Sequence, residues 1–153
     1  MGRAAIGSSE AKKGSEDIAK SDYQRLAEFR YLLRRFLAFS AAEAEQAGLT
    51  PQQHQALLAI KGFPGRDFVT IGELAERLGI RHHSAVGLAD RLAARGLVRR
   101  QAGGPDRRTV FVGVTPQADA LLADLSRAHR DELRRLGPLL RRLLAEVEDT
   151  DGF

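Results

Sequence analysis

Residues 70–100 read TIGELAERLGIRHHSAVGLADRLAARGLVRR, and the fold of the chain turns on this stretch. Thr70 is followed three positions later by Glu73, the capping-box pattern in which each side chain satisfies the other's orphan backbone N–H at a helix start. Ile71, Leu74, Ala75 and Leu78 then recur at i, i+3, i+4 and i+7, one face of an α-helix. Gly79 follows, a residue that tolerates the left-handed conformation of a helix end. A second stripe repeats the spacing with Ala85, Leu88, Ala89 and Leu92, and Gly96 stops it. Two short amphipathic helices joined by a tight glycine-containing turn make a helix-turn-helix. The small residues Ala75, Ala85 and Ala89 let the two approach closely.

Downstream the period changes. Leu97 to Arg100 and Thr109 to Val114 are rich in β-formers, and residues 101–107 between them are turn-rich. This predicts a β-hairpin with an arginine-laden tip, which turns the helix-turn-helix into a winged helix. Thr115-Pro116 signals a helix start, since threonine caps well and proline suits the first turn. A long helix follows through Leu121, Leu122, Leu125 and Leu136, with an interruption expected at Gly137-Pro138 and a short apolar last helix from Leu139 to Val147.

Upstream, Thr50-Pro51 starts a helix carrying Ala56, Leu57 and Ile60, and residues 62–65 read as a loop. Leu26, Phe29, Leu33, Phe36 and Leu37 form a broad stripe on a first long helix, which must lie under its own fold or under a partner. Residues 1–16 lack apolar periodicity and are expected to be a disordered tail. The fold class is therefore mainly α with a small β-wing.

The chain has 153 residues, 43% of them apolar and 29% charged, so one soluble domain with helical extensions is the natural size class. It has no cysteine, which excludes disulfides, thiolate metal sites and cysteine nucleophiles. No apolar run reaches membrane-span length, and residues 1–14 lack a signal-peptide core, so a cytoplasmic protein is the expectation. Arg77 to Arg108 holds eight arginines and two acids, a local charge of +6, whereas the remainder carries −2. Arginine's planar fork suits phosphates and base edges. Catalysis finds no support. Ser84 beside His82 and His83 lacks a carboxylate orienter, and Gly103-Gly104 lacks the Gly-Lys-Ser/Thr ending of a P-loop.

Read in order, Leu49 to Leu58, Ile71 to Gly79, Asp90 to Arg100, Asp106 to Val110 and Val114 to Pro116 resemble the MarR family of winged-helix transcriptional regulators. The resemblance spans about residues 22–147. It implies a homodimer clasped by terminal helices, residues 17–48 and 116–148, around a DNA-binding domain at 49–115. It implies a pseudo-palindromic double-stranded DNA operator, a repressor, and release by a small aromatic or anionic effector. No cofactor and no catalytic residue are implied. The alternative is a winged-helix protein-interaction module without a DNA operator.

Residue by residue, the resemblance makes 82–95 the recognition helix. Arg81, His82, His83, Ser84, Gly87 and Arg91 become candidate DNA contacts, nearest the end that meets base edges in a helix-turn-helix. Here Arg81-His82-His83-Ser84 is bulkier and more basic than the short polar pair common in the family. Arg99, Asp106, Arg107 and Arg108 belong to the wing. Arg108 would enter the minor groove, where narrow A·T stretches have enhanced negative potential. Asp106 is expected to pair with the Arg108 guanidinium. Phe36, Phe39 and His54 are the candidate effector contacts, against a competing role in core or dimer packing. Adjacent His82 and His83 do not face each other on a helix, and structural zinc wants four ligands, so no metal site is assigned. His129 and Glu132, three apart, share one helical face.

Overall fold

The structure, a computed structural model, describes residues 17–103, 106 and 108–149. The expected tail at 1–16 lies outside the described residues. The order of elements is α1 (Lys20–Gln46), α2 (Pro51–Lys61), β1 (Phe68–Thr70), α3 (Ile71–Leu78), α4 (His82–Ala94), β2 (Val98–Ala102), β3 (Val110–Val114) and α5 (Pro116–Glu148). This is a winged helix carried between two long helices that pack along each other.

Threonines start three of the helices. Thr50 Oγ1 accepts from the Gln53 N–H at 3.1 Å, and the Gln53 side chain accepts the Thr50 N–H in return. Thr70 and Glu73 repeat this reciprocal pair at α3. Each removes orphan donors from a helix end, and such a cap contributes about 1 kcal/mol. Thr115 accepts from the Ala118 N–H and donates its hydroxyl proton to the Gly96 carbonyl at 2.7 Å. It therefore ties the start of α5 to the end of α4. Gly79 and Gly96 take φ of 63° and 69°, which allows the chain to turn sharply after α3 and α4.

The apolar stripes meet in one core. Leu57 and Ile60 of α2, Leu74 of α3, Leu88 and Leu92 of α4, and Val69 and Val112 of the sheet are all at most 1% exposed. The sheet has three antiparallel strands in the order β1-β3-β2. Val69 pairs with Val112 and Arg100 with Val112 from the other side. The sequence reading supplied the hairpin but not β1. Three residues are too few to show a period of two, and Phe68–Thr70 becomes a strand only because β3 offers it an edge.

A second departure concerns α5. The helix runs unbroken through Gly137-Pro138 to Glu148. Proline removes one N–H and crowds the preceding turn at a cost of about 3 kcal/mol. Contacts to α1 hold the helix on both sides of that point. Before it, His129 Nε2 lies 2.7 Å from Ser40 Oγ. After it, Glu146 lies 3.7 Å from the Arg25 guanidinium. Leu136, next to the pair, is fully buried.

Candidate nucleic-acid interface and the cavity beside it

α4 buries Ala85, Leu88, Ala89 and Leu92 and leaves His82, His83, Ser84, Asp90, Arg91 and Ala94 exposed. Arg81, His82, His83 and Ser84 are all exposed, at the N-cap and first turn. Among α2 to α5, α4 alone has no side-chain cap on its first turn. Its N–H groups and positive dipole end are therefore presented outward, a local environment that favours anions. One turn on, a Cβ added at Gly87 would stand 3.3 Å from Arg91 Nη1. The missing side chain lets the Arg91 guanidinium lie back over the helix toward its N-terminal end.

The arginine-rich window sorts into two groups. Arg77 lies 5.1 Å from the Phe63 ring, Arg95 donates to Gln53 Oε1 at 3.0 Å, and Arg100 forms an ion pair with Asp90 that ties β2 to α4. These three are employed within the fold. Arg81, Arg91, Arg99 and Arg108 are exposed on α4 and the wing. Arg107 lies outside the described residues. In the wing, Asp106 is exposed, and its carboxylate accepts the backbone N–H of Arg108 at 3.0 Å. The expected pairing with the guanidinium is thus replaced by a local side-chain-to-backbone turn. That bond shapes the turn while leaving the arginine side chain uncommitted to Asp106. Arg108 and His82 line a cleft of about 390 Å³ between α4 and the wing, together with Val86 and Thr109.

The candidate effector residues come together elsewhere. A cavity of about 690 Å³ opens between α1, α2 and α5, with Phe36 and His54 in its wall. Phe39 does not line it but packs edge-on against His129, ring centroids 5.4 Å apart. His129 is the residue that joins them. Glu132 turns to Arg135, while the His129 ring stands 4.9 Å from His54 and 5.9 Å from Phe36. His129 Nδ1 is 2.7 Å from the Leu125 carbonyl and Nε2 is 2.7 Å from Ser40 Oγ. A neutral ring satisfies both, with Nδ1 donating to the carbonyl and Nε2 accepting the hydroxyl proton. His54 is 2% exposed, and its Nδ1 is buried without a hydrogen-bond partner. Burial, and then the neighbouring His129 ring, hold the His54 pKa below the ordinary 6.5. Arg130, Arg134 and Arg141 complete a wall that is apolar, aromatic and cationic at once. No group of three or more metal-ligating side chains occurs among the described residues. No helix among them is long and apolar enough to cross a membrane.

Comparison with known proteins agrees with this architecture. A family model described as the MarR family matches residues 47–109, which run from the end of α1 into the wing. AbsC, a MarR family transcriptional regulator from Streptomyces coelicolor, is 18% identical and superposes with a TM-score of 0.66, covering 89% of this chain and 98% of its own. A probable transcriptional regulator from Pseudomonas aeruginosa is 28% identical over 84% of this chain and 99% of its own, with a TM-score of 0.59. A MepR variant from S. aureus, solved bound to an oligodeoxyribonucleotide, is 18% identical over 84% of this chain and 96% of its own, with a TM-score of 0.63. The motif order, the winged helix between long helices and the match at its centre make the chain similar to MarR-family regulators over residues 47–109 and in its fold.

Proposed function

We propose that the chain is a homodimeric, sequence-specific DNA-binding transcriptional regulator that acts as a repressor and is released by a small effector. The observation that carries this reading is the division of labour among the arginines. Three are consumed inside the fold, while Arg81, Arg91, Arg99 and Arg108 stay outward on α4 and the wing. An uncapped helix start beside them adds N–H donors for a phosphate. His82, His83, Ser84 and Gly87 stand where a recognition helix meets base edges. Arg107 and Asp106 belong to the same wing, Asp106 as the residue that shapes its turn. The MepR variant bound to DNA supports the same use of this fold.

A duplex read by two copies would present pseudo-palindromic half-sites about 34 Å apart. The dimer reading rests on apolar side chains left outward on the long helices. Leu26, Leu33 and Leu37 of α1 and Leu133 and Leu144 of α5 are all at least 44% exposed in the single chain. Such a set normally marks an interface. Light scattering of the purified chain should give twice the 16.8 kDa chain mass; a monomer at micromolar concentration would remove the clasp.

The effector belongs in the α1–α2–α5 cavity. Its aromatic wall and its three arginines favour a small aromatic or anionic molecule. Such a ligand lowers DNA affinity only by the difference between its affinities for the DNA-competent and incompetent forms.

The function is tested by salt. If each subunit neutralises about four phosphates, the slope of log affinity against log salt is near −7. Gel-shift titrations on duplex selected from a random pool measure it. A slope near zero, or no duplex retained at low salt, would leave the protein-interaction module as the reading.

A further inference from the structure

The outer face of the wing's sheet carries a cluster that the DNA reading does not use. Val69 and Val112 point into the core, so their neighbours Phe68 and Phe111 point the other way. The two rings meet edge to face, 4.9 Å apart at 70°. The Arg66 guanidinium sits 4.6 Å from the Phe63 ring, 5.3 Å from Phe68 and 5.9 Å from Phe111. It also forms an ion pair with Glu73. The other Glu73 oxygen accepts the Thr70 N–H that opens α3. At the opposite end, Phe111 lies over Gly103. A Cβ placed on Gly103 would stand 2.0 Å from Phe111 Cε2 and 2.3 Å from Cδ2. No side chain fits there unless the ring leaves. The Gly103 N–H donates to the Thr109 carbonyl at 2.8 Å, closing the base of the wing's tip.

We propose that Arg66, Phe111 and Gly103 form a lock that aims the wing. The chain of contacts runs from the start of α3, through Glu73 and Arg66, to Phe111 and Gly103. It therefore couples the direction in which the wing's tip leaves the sheet to the helix-turn-helix that carries α4. Arg108, at that tip, reaches its place on DNA only if this direction is held. Arg66, Phe111 and Gly103 are positioning residues, acting through Arg108 without touching the nucleic acid. The inference rests on the DNA-binding reading above, but the lock itself can be measured without DNA.

Full-length Arg66→Gln, Phe111→Ala, Gly103→Ala and Arg108→Ala are compared on selected duplexes with A·T-rich or G·C-rich flanks. Each lock variant should lose about tenfold in affinity on A·T flanks and less than threefold on G·C flanks, as Arg108→Ala does. The Gly103→Ala/Phe111→Ala double variant should be no worse than either single one, because both break one contact. Arg66→Gln should leave the salt slope unchanged, whereas Arg108→Ala should flatten it by about one phosphate per subunit. Equal loss on both flanks, or a flattened slope for Arg66→Gln, would overturn the lock. Hydrogen exchange at Gly103 provides the DNA-independent arm. Its amide should exchange at least tenfold faster in Arg66→Gln, a substitution at a half-buried surface position that leaves the core intact. Unchanged exchange overturns the lock even if DNA binds; faster exchange with no DNA binding by the unaltered chain would sustain the lock and defeat only the regulator reading.

Discussion

Leu88→Ala should lower the stability of the folded chain by about 3–5 kcal/mol, the range for a leucine truncated in a core that cannot collapse around the gap. Leu88 is 1% exposed and belongs to the cluster that joins α4 to α2, α3 and the sheet. At about 2–4 °C per kcal/mol for a chain of this length, the thermal midpoint should fall by roughly 6–20 °C. Leu88→Met, which conserves volume, should cost less than about 1.5 kcal/mol. Val86→Ala, two residues away on the other side of the helix and only half-buried, should cost about 1 kcal/mol. Urea unfolding at one fixed protein concentration measures all three, since self-association of the kind proposed would make apparent stability depend on concentration. If Leu88→Ala and Val86→Ala cost the same, α4 is not seated through its apolar stripe. The same stripe orients the exposed face that bears Arg91, so Leu88→Ala should weaken duplex binding at temperatures where the chain remains folded.

The seat of α4 was legible in the sequence because its signals are local. Thr70, Glu73, Gly79 and Gly96 mark ends, and Leu88 and Leu92 mark a face within a few residues of each other. The long-range features were not legible for the same reason. His129 meets Ser40 across 89 positions, and nothing in either neighbourhood announces the partner. Spacing puts His129 on one helical face with Glu132, but it does not show that the ring packs against His54. Pro138 reads as a break because the local rule is strong, yet α1 holds α5 on both sides of it. The charge window is legible as a sum, but the partners of Arg77, Arg95 and Arg100 are not. Which arginines serve the fold depends on Asp90, Gln53 and Phe63 arriving beside them. The Asp106–Arg108 spacing was informative, although a backbone N–H took the place of the guanidinium.

Acidification should destabilise the chain below pH 6.5, and His54 should be a principal cause. Its folded pKa lies below the unfolded 6.5, because the ring is buried and faces His129. Between the two values the unfolded chain binds a proton that the folded chain refuses. The stability contributed by neutral His54 is therefore complete above pH 6.5 and declines as the pH falls toward the folded value. One proton gives a slope of at most about 1.4 kcal/mol per pH unit. Lys61 and Glu73, whose pKa values shift through Asp119 and through Thr70 and Arg66, titrate outside this window. Once charged, His54 would also face the three arginines of the cavity wall, so an anion in the cavity should offset part of the loss. His54→Gln keeps a neutral polar group and removes the titration. Urea unfolding between pH 5 and 7.5 should show the variant losing less stability on acidification than the unaltered chain, with the difference vanishing near pH 7. Parallel curves would mean that the buried imidazole titrates no differently in the fold, and the coupling between this cavity and solution pH would have to be abandoned.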